Sequence, residues 1–438
     1  MKKPACVLIL ALLSSSVLFG QDAQIALIPA EKQAVIDALC ANLEGEYIFP
    51  EITEKYVRTL RDNLRSGKYD RIGRPEEFAA AVTDDLMSVH KDRHLSVRFN
   101  PGWVKNERGR KELDADAIRL QERRDRTTNY GFNEIKILPG NIGYLKLNGF
   151  SYDTKAQDAA VGAMAFLAGV DALIIDLRSN GGGSPEMVQF LCSYFLDNPR
   201  RHLNSFSYKD RDRLTQYWTY TYLPGKRLDK IGLYLLTSGQ TFSAAEEFAY
   251  NLKNLERATI IGETTGGGAH DNKFVVLTDN FYMSLPFARA VNPVTKANWE
   301  EVGVEPDIKV SRDKALETAL VLASKRLAEQ EKDPGFKAYY QWQLDAYDAA
   351  LDPAPVSEAM LRSCVGTYGP RTITLENGAL IYQREGQAKR RMTALGDGCF
   401  AVDGNDNFRL RFLKEGGRIV AVEGYTPAGV ADKHLRDK

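Results

Sequence analysis

The stretch Leu236-Thr-Ser-Gly-Gln-Thr-Phe-Ser-Ala-Ala-Glu-Glu-Phe248 joins two segments with different hydrophobic periodicity. The apolar run Ile231–Leu236 predicts a buried strand, and the residues from Ala244 to Leu255 predict a helix. Ser243 therefore falls at a strand-to-helix turn, where helix N–H groups face whatever the hydroxyl attacks. Ser243 and Glu246 also match a capping box, in which the serine only starts the helix. From this turn alone, Ser243 could be either a nucleophile or a helix cap.

Strands and helices alternate on both sides of this turn. The predicted strands are Ile142–Leu147, Ala172–Ile175, Leu233–Leu236 and Thr259–Ile261, and the helices between them are Thr154–Leu167, Pro185–Phe195 and Ala244–Leu255. Such alternation predicts an α/β core with at least some parallel strand pairing.

The chain divides into five predicted segments. We expect a signal peptide over 1–20, a helical N-terminal domain over 25–92 and an α/β core over 93–330. A linker is predicted over 331–356 because of the stretch Asp352-Pro-Ala-Pro355. Alternating apolar residues and turn signals predict a small all-β domain over 357–438.

The N-terminus and the overall charge restrict the location and the partners. Lys2 and Lys3 precede the apolar run Ala5–Leu13, and a small residue, Gly20, follows. This is the pattern of a removed signal peptide, so we expect an exported protein, periplasmic or extracellular and possibly associated with the outer surface, with no membrane span in the mature chain. Lys+Arg and Asp+Glu are both 58, which argues against a nucleic-acid partner held by bulk charge.

The cysteines predict no zinc site. No Cys-x-x-Cys pair is present, and four cysteines outside the signal peptide are too few for a disulfide scaffold. In an oxidising compartment Cys364 and Cys399 could form a bridge, and buried free thiols are the alternative.

Two further strands run into glycine-rich loops, Ile174-Ile-Asp-Leu-Arg-Ser-Asn-Gly-Gly-Gly-Ser184 and Ile261-Gly-Glu-Thr-Thr-Gly-Gly-Gly-Ala-His270. Such loops can aim backbone N–H groups at a developing negative charge, or simply make tight turns. A phosphate loop would need Gly-Lys-Ser/Thr or Gly-x-Gly-x-x-Gly, and neither follows, so no nucleotide cofactor is predicted. Two glycine loops at strand ends favour a site there.

The residues alone do not decide which histidine would be the base for Ser243 or which carboxylate would be the acid. A serine nucleophile needs a base, and the histidines are His90, His94, His202, His270 and His434. In the stretch Trp299-Glu-Glu-Val-Gly-Val-Glu-Pro-Asp307, Glu300 or Glu301 could orient a histidine. Either could equally be a solvated loop carboxylate, and His270 could be a binding residue or a surface-loop histidine.

Taken in order, the motifs resemble the tail-specific proteases, peptidase family S41. They are Ile142-Gly-Tyr-Leu, Asp176-Leu-Arg-Ser-Asn-Gly-Gly-Gly, Leu236-Thr-Ser-Gly-Gln-Thr-Phe-Ser-Ala-Ala-Glu, Ile261-Gly-Glu-Thr-Thr-Gly-Gly and Gly303-Val-Glu-Pro-Asp. The resemblance implies a ClpP/crotonase-like core with Ser243 as the nucleophile. It also implies an oxyanion hole of N–H groups near Gly182 and at Ala244.

Departures from the processing-peptidase branch indicate a different branch. The processing-peptidase branch uses a lysine in the second glycine loop, where this chain has Gly268. It also inserts a PDZ domain, for which the interval from His94 to Ile142 is too short. The chain is more similar to the tricorn-core and interphotoreceptor retinoid-binding protein branch. There the match Asp92-Arg-His94 implies His94 as the base, and Glu300, with Glu301 as the neighbouring candidate, as the acid. Arg93 stands where that branch usually has a glycine.

The resemblance implies a serine peptidase acting on a peptide or protein substrate, and the predicted signal peptide indicates that it is exported. The implied catalytic residues are Ser243, His94 and Glu300, with possible substrate contacts at Gly181, Gly183, Gly267 and His270. No cofactor and no metal are implied. The alternatives are a non-catalytic binding module for an apolar ligand or peptide on the same scaffold, and an acyl-CoA-handling enzyme of the crotonase kind.

Overall fold

A computed structural model describes residues 27–109, 115–197, 199–209 and 213–437 of the chain. The predicted signal peptide, residues 1–20, lies outside this range. Among the described residues, no helix is both long and apolar enough to cross a membrane.

Helices and strands share the chain, and their bounds are as follows. The helices are α1 (Pro29–Glu46), α2 (Pro50–Arg65), α3 (Pro75–Val89), α4 (Pro101–Gly109), α5 (Ala115–Thr127), α6 (Ala156–Phe166), α7 (Pro185–Phe195), α8 (Ala244–Asn254), α9 (Ala315–Gln330), α10 (Pro334–Leu351) and α11 (Glu358–Cys364). The strands before α9 are β1 (Ser96–Phe99), β2 (Phe132–Leu138), β3 (Ile142–Leu147), β4 (Ala172–Asp176), β5 (His202–Tyr208), β6 (Leu214–Trp218), β7 (Gly232–Thr237), β8 (Thr259–Gly262), β9 (His270–Val276), β10 (Phe281–Val291) and β11 (Ile308–Lys309). Those after α11 are β12 (Gly366–Tyr368), β13 (Arg371–Glu376), β14 (Ala379–Arg384), β15 (Arg390–Gly396), β16 (Cys399–Val402), β17 (Asn405–Glu415), β18 (Arg418–Thr426) and β19 (Gly429–Leu435).

The central sheet has the order β11-β8-β7-β4-β3-β2 and is parallel from β11 to β3. Its strands are apolar on both faces because helices cover both. Leu173 and Leu235 face the cluster that contains α6, α7 and α8. Ile174 and Tyr234 face the other side, where α9 packs. The predicted mixed α/β core is confirmed, with the predicted strands and helices present at slightly shifted ends.

The N-terminal helices pack on a second, antiparallel sheet. In it β10 pairs with β1, β5 and β9, and β6 follows β5. Apolar residues of α1, α2 and α3 share one core with Phe281, Met283 and Leu285 of β10. The helical N-terminal region is therefore joined to the strand that leads towards Trp299 and Glu300.

Residues 331–356 contain a helix where the sequence analysis predicted a linker. Asp333 accepts hydrogen bonds from the amides of Gly335 and Phe336 and so starts α10. The helix packs against α9, and Trp342 donates its indole N–H to the Asp406 carbonyl, 2.8 Å away. The Asp-Pro-Ala-Pro cue marks only the end of this helix, which fastens the C-terminal strands to the core.

The C-terminal strands form an antiparallel meander from β12 to β19, which confirms the predicted all-β region. The amide of Asp437 donates to the Thr367 carbonyl, 2.9 Å away, so the last strand returns to the first and the sheet curls like a barrel. Cys364 and Cys399 are free thiols, so the alternative of a bridge between them is not realised.

Candidate active site

Three loops meet at one edge of the central sheet. β4, β7 and β8 are neighbouring parallel strands, so their carboxyl ends lie side by side. The glycine loop 177–184 leaves β4, the turn to Ser243 leaves β7, and the loop 263–269 leaves β8. The residues that the sequence analysis selected from distant motifs thus come together here.

Ser243 has a backbone conformation that favours glycine. Its φ is +55° and its ψ is −123°, at the residue before α8. Such a conformation costs a serine about 1–3 kcal/mol and persists only where the surroundings hold it. The Glu246 amide donates to the Ser243 carbonyl at 2.8 Å, and the Ser243 amide donates to Glu246 Oε2 at 2.8 Å. Ser243 and Glu246 thus form the predicted capping box, and the Glu246 amide has the Ser243 carbonyl as an acceptor in addition to the side chain.

The first glycine loop packs against this turn. Gly182 has a φ of +105°, and a Cβ there would lie 2.8 Å from Ser243 Cβ and 2.9 Å from the Ala244 nitrogen. The Gly182 amide donates to Asn180 Oδ1, 2.9 Å away, so this predicted oxyanion donor already has a partner. Ala244 is the first residue of α8, where a backbone N–H has no acceptor within the helix.

One cavity borders the serine turn, and a second borders the first glycine loop. The first, of about 30 Å³, is lined by Ser243, Ala244, Gly183 and His270 together with residues of α8, β5, β9 and neighbouring segments. The second, of about 660 Å³, begins at Gly182 and Gly183 and extends to Tyr130 and Asp153. Gly183 therefore borders both, whereas Gly181 is exposed on the outer side of the loop.

Glu246 ties the second glycine loop to the serine turn. Its buried carboxylate accepts hydrogen bonds from the Ser243, Gly267 and Gly268 amides and from the Thr265 hydroxyl. Burial raises the pKa of Glu246, and the four donors act in the opposite direction. The amide of Gly267, a residue predicted as a possible substrate contact, donates to this carboxylate.

His94 lies beside the serine turn but is held on one side only. Its ring stacks on Phe242 with centroids 4.7 Å apart, and its backbone amide donates to Asp92 Oδ1 at 3.1 Å. Its Nδ1 is buried and has no hydrogen-bond partner. Burial lowers the pKa of His94 to about 4. The Asp92 charge acts against this shift, and the His270 and Arg93 charges act with it.

His270, at the start of β9, is held by two carboxylates. Its Nδ1 lies 2.9 Å from Asp92 Oδ2 and 3.7 Å from Glu300 Oε2. Burial disfavours the charged imidazole, but the hydrogen bond and charge of Asp92 outweigh it and raise the pKa of His270. These three residues also have the atom types and spacing of a metal site, yet the Nδ1–Asp92 hydrogen bond accounts for their proximity.

Glu300 is oriented towards His270. Its Oε2 accepts the Ala269 amide, its Oε1 has no partner, and burial raises its pKa to about 7. Among the described residues, Glu300 is within ion-pair distance of His270 and not of His94. Glu301 is exposed, and its carboxylate lies 3.7 Å from His90 Nδ1. The structure thus brings Ser243, His94 and Glu300 to one site without the expected Glu300–His94 contact.

The sequence analysis gave no role to Asp92 and only a capping role to Glu246. Asp92 has 0% exposed surface and accepts the Tyr47 hydroxyl at 3.0 Å in addition to its two histidine contacts. Its position two residues before His94 in the same motif was the available signal. Glu246 carried no signal beyond the capping box, because its bonds to the second loop depend on the tertiary fold.

Comparison with known proteins agrees with the motif order. The model of peptidase family S41 matches residues 141–310, and the model of the N-terminal domain of Peptidase_S41 in eukaryotic IRBP matches residues 20–123. The carboxy-terminal processing protease CtpB of Bacillus subtilis is 22% identical over 181 residues, which is 41% of this chain and 36% of that protein. The chloroplastic carboxyl-terminal-processing peptidase 2 of Arabidopsis thaliana is 31% identical over 179 residues, 39% of this chain and 33% of that protein.

The matches span about a third of the length of these relatives. Among solved structures, a photosystem II D1 C-terminal processing protease superimposes with a TM-score of 0.43 at 16% identity, covering 65% of this chain and 94% of that one. The two family models lie end to end on the N-terminal helices and the core, in the order predicted from the motifs. Residues 141–310 are thus similar to peptidase family S41, and residues 20–123 are similar to the N-terminal domain described for that family.

Proposed function

We propose that this protein is an exported serine peptidase that cleaves peptide bonds with Ser243. The observation that carries the proposal is the conformation of Ser243. A serine at a φ of +55° is strained, and here Glu246 and Gly182 hold it at the mouth of a cavity beside the Ala244 amide. The capping box accounts for the bond from the Ser243 amide to Glu246, but it requires neither the positive φ nor the position beside the cavity.

The proposed site consists of the nucleophile Ser243, a histidine base and the acid Glu300. The family resemblance assigns the base to His94, and its stacking on Phe242, next to Ser243, supports a place in the site. The Ala244 amide and an amide of the glycine loop, Gly182 or Gly183, would stabilise the oxyanion. The Gly182 assignment requires its amide to leave Asn180 when substrate binds. We propose a ClpP/crotonase-like arrangement for the core around them.

The proposed substrate is a peptide or protein segment in the 660 Å³ cavity. This cavity is open to solvent, and its lining includes the Phe150–Asp153 segment, Gly182 and Gly183. Phe150 and Gly183 already pair as a parallel β-bridge, so main-chain groups of both segments lie close together at the site. Relatives named as processing proteases support this substrate class. The predicted signal peptide supports a periplasmic or extracellular location.

A fluorophosphonate probe tests the proposal directly. The wild-type protein should be labelled at Ser243, as located by mass spectrometry, and should hydrolyse an unstructured protein such as casein or a mixed peptide library. The Ser243→Ala variant should lose both activities. Hydrolysis that survives Ser243→Ala would refute the assignment. A wild-type protein that is neither labelled nor active would favour the binding module.

A further inference from the structure

We infer that Arg93 is a positioning residue for the base: its guanidinium holds the stacked rings of His94 and Phe242 against the second glycine loop. This inference rests on the proposed peptidase function with His94 as the base. Arg93 is also the residue by which the Asp92-Arg-His94 motif departs from the branch that it resembles.

A hydrogen bond joins Arg93 to the second glycine loop. Its Nη1 donates to the Gly266 carbonyl, 173 residues further along the chain. The Gly266 amide in turn donates to the Thr241 carbonyl, 2.9 Å away. Arg93 directly precedes His94, and Thr241 lies two residues before Ser243. Gly266 therefore links the turn that carries the proposed base to the turn that carries the nucleophile.

The same Arg93 guanidinium lies beside an aromatic stack. Its Cζ is 5.5 Å from the centroid of the Phe242 ring, within the range of a cation–π contact. The Phe242 ring stacks on His94 with centroids 4.7 Å apart and planes inclined by 29°. Phe242 directly precedes Ser243, and its amide donates to the Asn180 carbonyl at 3.0 Å. The Phe242 ring thus helps to set where the His94 ring lies relative to the nucleophile.

Both rings of this stack rest on glycine backbone. A Cβ at Gly266 would lie 2.6 Å from Phe242 Cδ2. A Cβ at Gly268 would lie 2.3 Å from Phe242 Cζ and 2.6 Å from His94 Cε1. His94 is buried, whereas Arg93 is exposed and donates to the same backbone. Arg93 therefore fixes the loop on which the two rings pack.

The stack matters because the His94 ring has no hydrogen bond at Nδ1, which is buried. Its orientation then depends on packing. A base acts only within hydrogen-bond reach of the proton that it removes, and a misplacement of about 1 Å can cost about 10²-fold in rate. Loss of the Arg93 contacts should therefore slow the chemical step and change substrate binding little.

Arg93 also acts on the charge of His94. Burial lowers the pKa of His94 to about 4, and the groups that face its ring are Asp92, which acts against this shift, and His270 and Arg93, which act with it. A base must be neutral to accept a proton, so kcat/KM should rise with pH through the pKa of His94. Removing the Arg93 charge should move this acid limb to higher pH.

Three variants test the inference by kcat, KM and the rate of fluorophosphonate labelling. We expect Arg93→Ala to lower kcat and the labelling rate by about tenfold to a hundredfold, with little change in KM. Arg93→Lys keeps the charge and can still donate a hydrogen bond, so it should stay within about threefold of the wild type and keep the wild-type acid limb. The matched control is Arg98→Ala, at an exposed arginine on β1, which should match the wild type.

A double variant distinguishes positioning through the stack from general damage. Phe242→Leu keeps an apolar side chain but removes the stacking and the cation–π contact. If Arg93 acts through Phe242, the double variant Arg93→Ala/Phe242→Leu should be slower than the slower single variant by no more than about threefold. Losses that multiply would show that Arg93 acts independently of the stack and would overturn the inference.

The remaining outcomes separate this inference from the peptidase proposal. An Arg93→Ala variant with the kcat and the acid limb of the wild type overturns the role of Arg93 and leaves the peptidase proposal standing. A fall in kcat with an unchanged acid limb, accompanied by a lower melting temperature in circular dichroism, indicates a merely structural role and also overturns it. Hydrolysis that survives Ser243→Ala, or a wild-type protein that is neither labelled nor active, refutes both proposals.

Discussion

Replacing Glu246 by glutamine should damage both the stability and the reactivity of the site. Glu246 Oε1 accepts from the Thr265 hydroxyl and the Gly267 amide, and Oε2 accepts from the Ser243 and Gly268 amides. A glutamine NH₂ group in either position meets at least one backbone amide, donor against donor. The Thr265 hydroxyl can adjust its proton, but the amides cannot.

The magnitude follows from these four bonds. One buried amide left without an acceptor costs about 1–3 kcal/mol, and each of the other bonds loses about 1 kcal/mol when its acceptor becomes neutral. We expect Glu246→Gln to lower the free energy of unfolding by about 3–5 kcal/mol. Because the Ser243 turn and the second glycine loop lose their common anchor, fluorophosphonate labelling should slow by about tenfold to a hundredfold.

Guanidinium chloride unfolding and the labelling rate measure the two effects at pH 6. The matched control is Glu247→Gln, the next residue of the same helix, which is also buried. Burial raises the pKa of Glu247 to about 8, so it is protonated at pH 6 and an amide resembles it closely. The control should be as stable as the wild type or more stable. A Glu246→Gln variant within about 1 kcal/mol of the wild type, labelled at an unchanged rate, would refute the reasoning.

Three further predictions follow from the same geometry. Ser243→Gly should abolish hydrolysis and raise the free energy of unfolding by about 1 kcal/mol, because glycine adopts a positive φ without strain. Ser243→Ala should abolish hydrolysis without this gain in stability. Equal stability of the two variants would show that the Ser243 backbone is not strained. Gly182→Ala should reduce kcat/KM by about 10²-fold or more, because its Cβ would lie 2.8 Å from Ser243 Cβ. The control Gly181→Ala should be tolerated, because there is open space at the Gly181 Cα. Equal effects of the two variants would argue against the packing described. The free energy of unfolding of the wild type should fall as pH rises from 5 to 8, because a carboxyl with a raised pKa stabilises the fold only while it is protonated. By pH 8 the loss from Glu247 should reach about 4 kcal/mol, and the Glu247→Gln variant should not show it. An unchanged slope in urea unfolding measured across this range would show that Glu247 ionises normally.

Local sequence patterns predicted most of the strands and helices of the core. The apolar strands before Asp176, Ser243 and Glu263 and the amphipathic helices between them depend on neighbouring residues, so periodicity detects them. The helix α10 was missed because a Pro-rich cue near its end outweighed the aspartate cap and the aromatic residues that anchor it. A linker and a short docked helix differ mainly in what the helix contacts, and those contacts are remote in sequence.

The sequence analysis predicted that the site residues would lie near one another, but it did not predict which of them are hydrogen-bonded. The motif order selected Ser243, Gly182, His94 and Glu300, and all four lie at the same sheet edge. The sequence cannot tell which histidine a buried carboxylate holds, because Asp92 and His270 are far apart along the chain and meet only when β9 packs beside the α3–β1 junction. The same reason concealed the bonds from Glu246 to the second glycine loop.

The hydrogen-bond chain from Tyr47 through Asp92 to His270 joins the end of the first helix to a strand of the antiparallel sheet. The helical layer is therefore not an accessory that could be trimmed or exchanged between relatives without consequence. A proteolytic cut or an inhibitor that separated it from the rest would remove the carboxylate from the imidazole while leaving Ser243 and its turn untouched. Control of such an enzyme could thus act far from the substrate cavity, on a surface that a screen directed at the nucleophile would never sample.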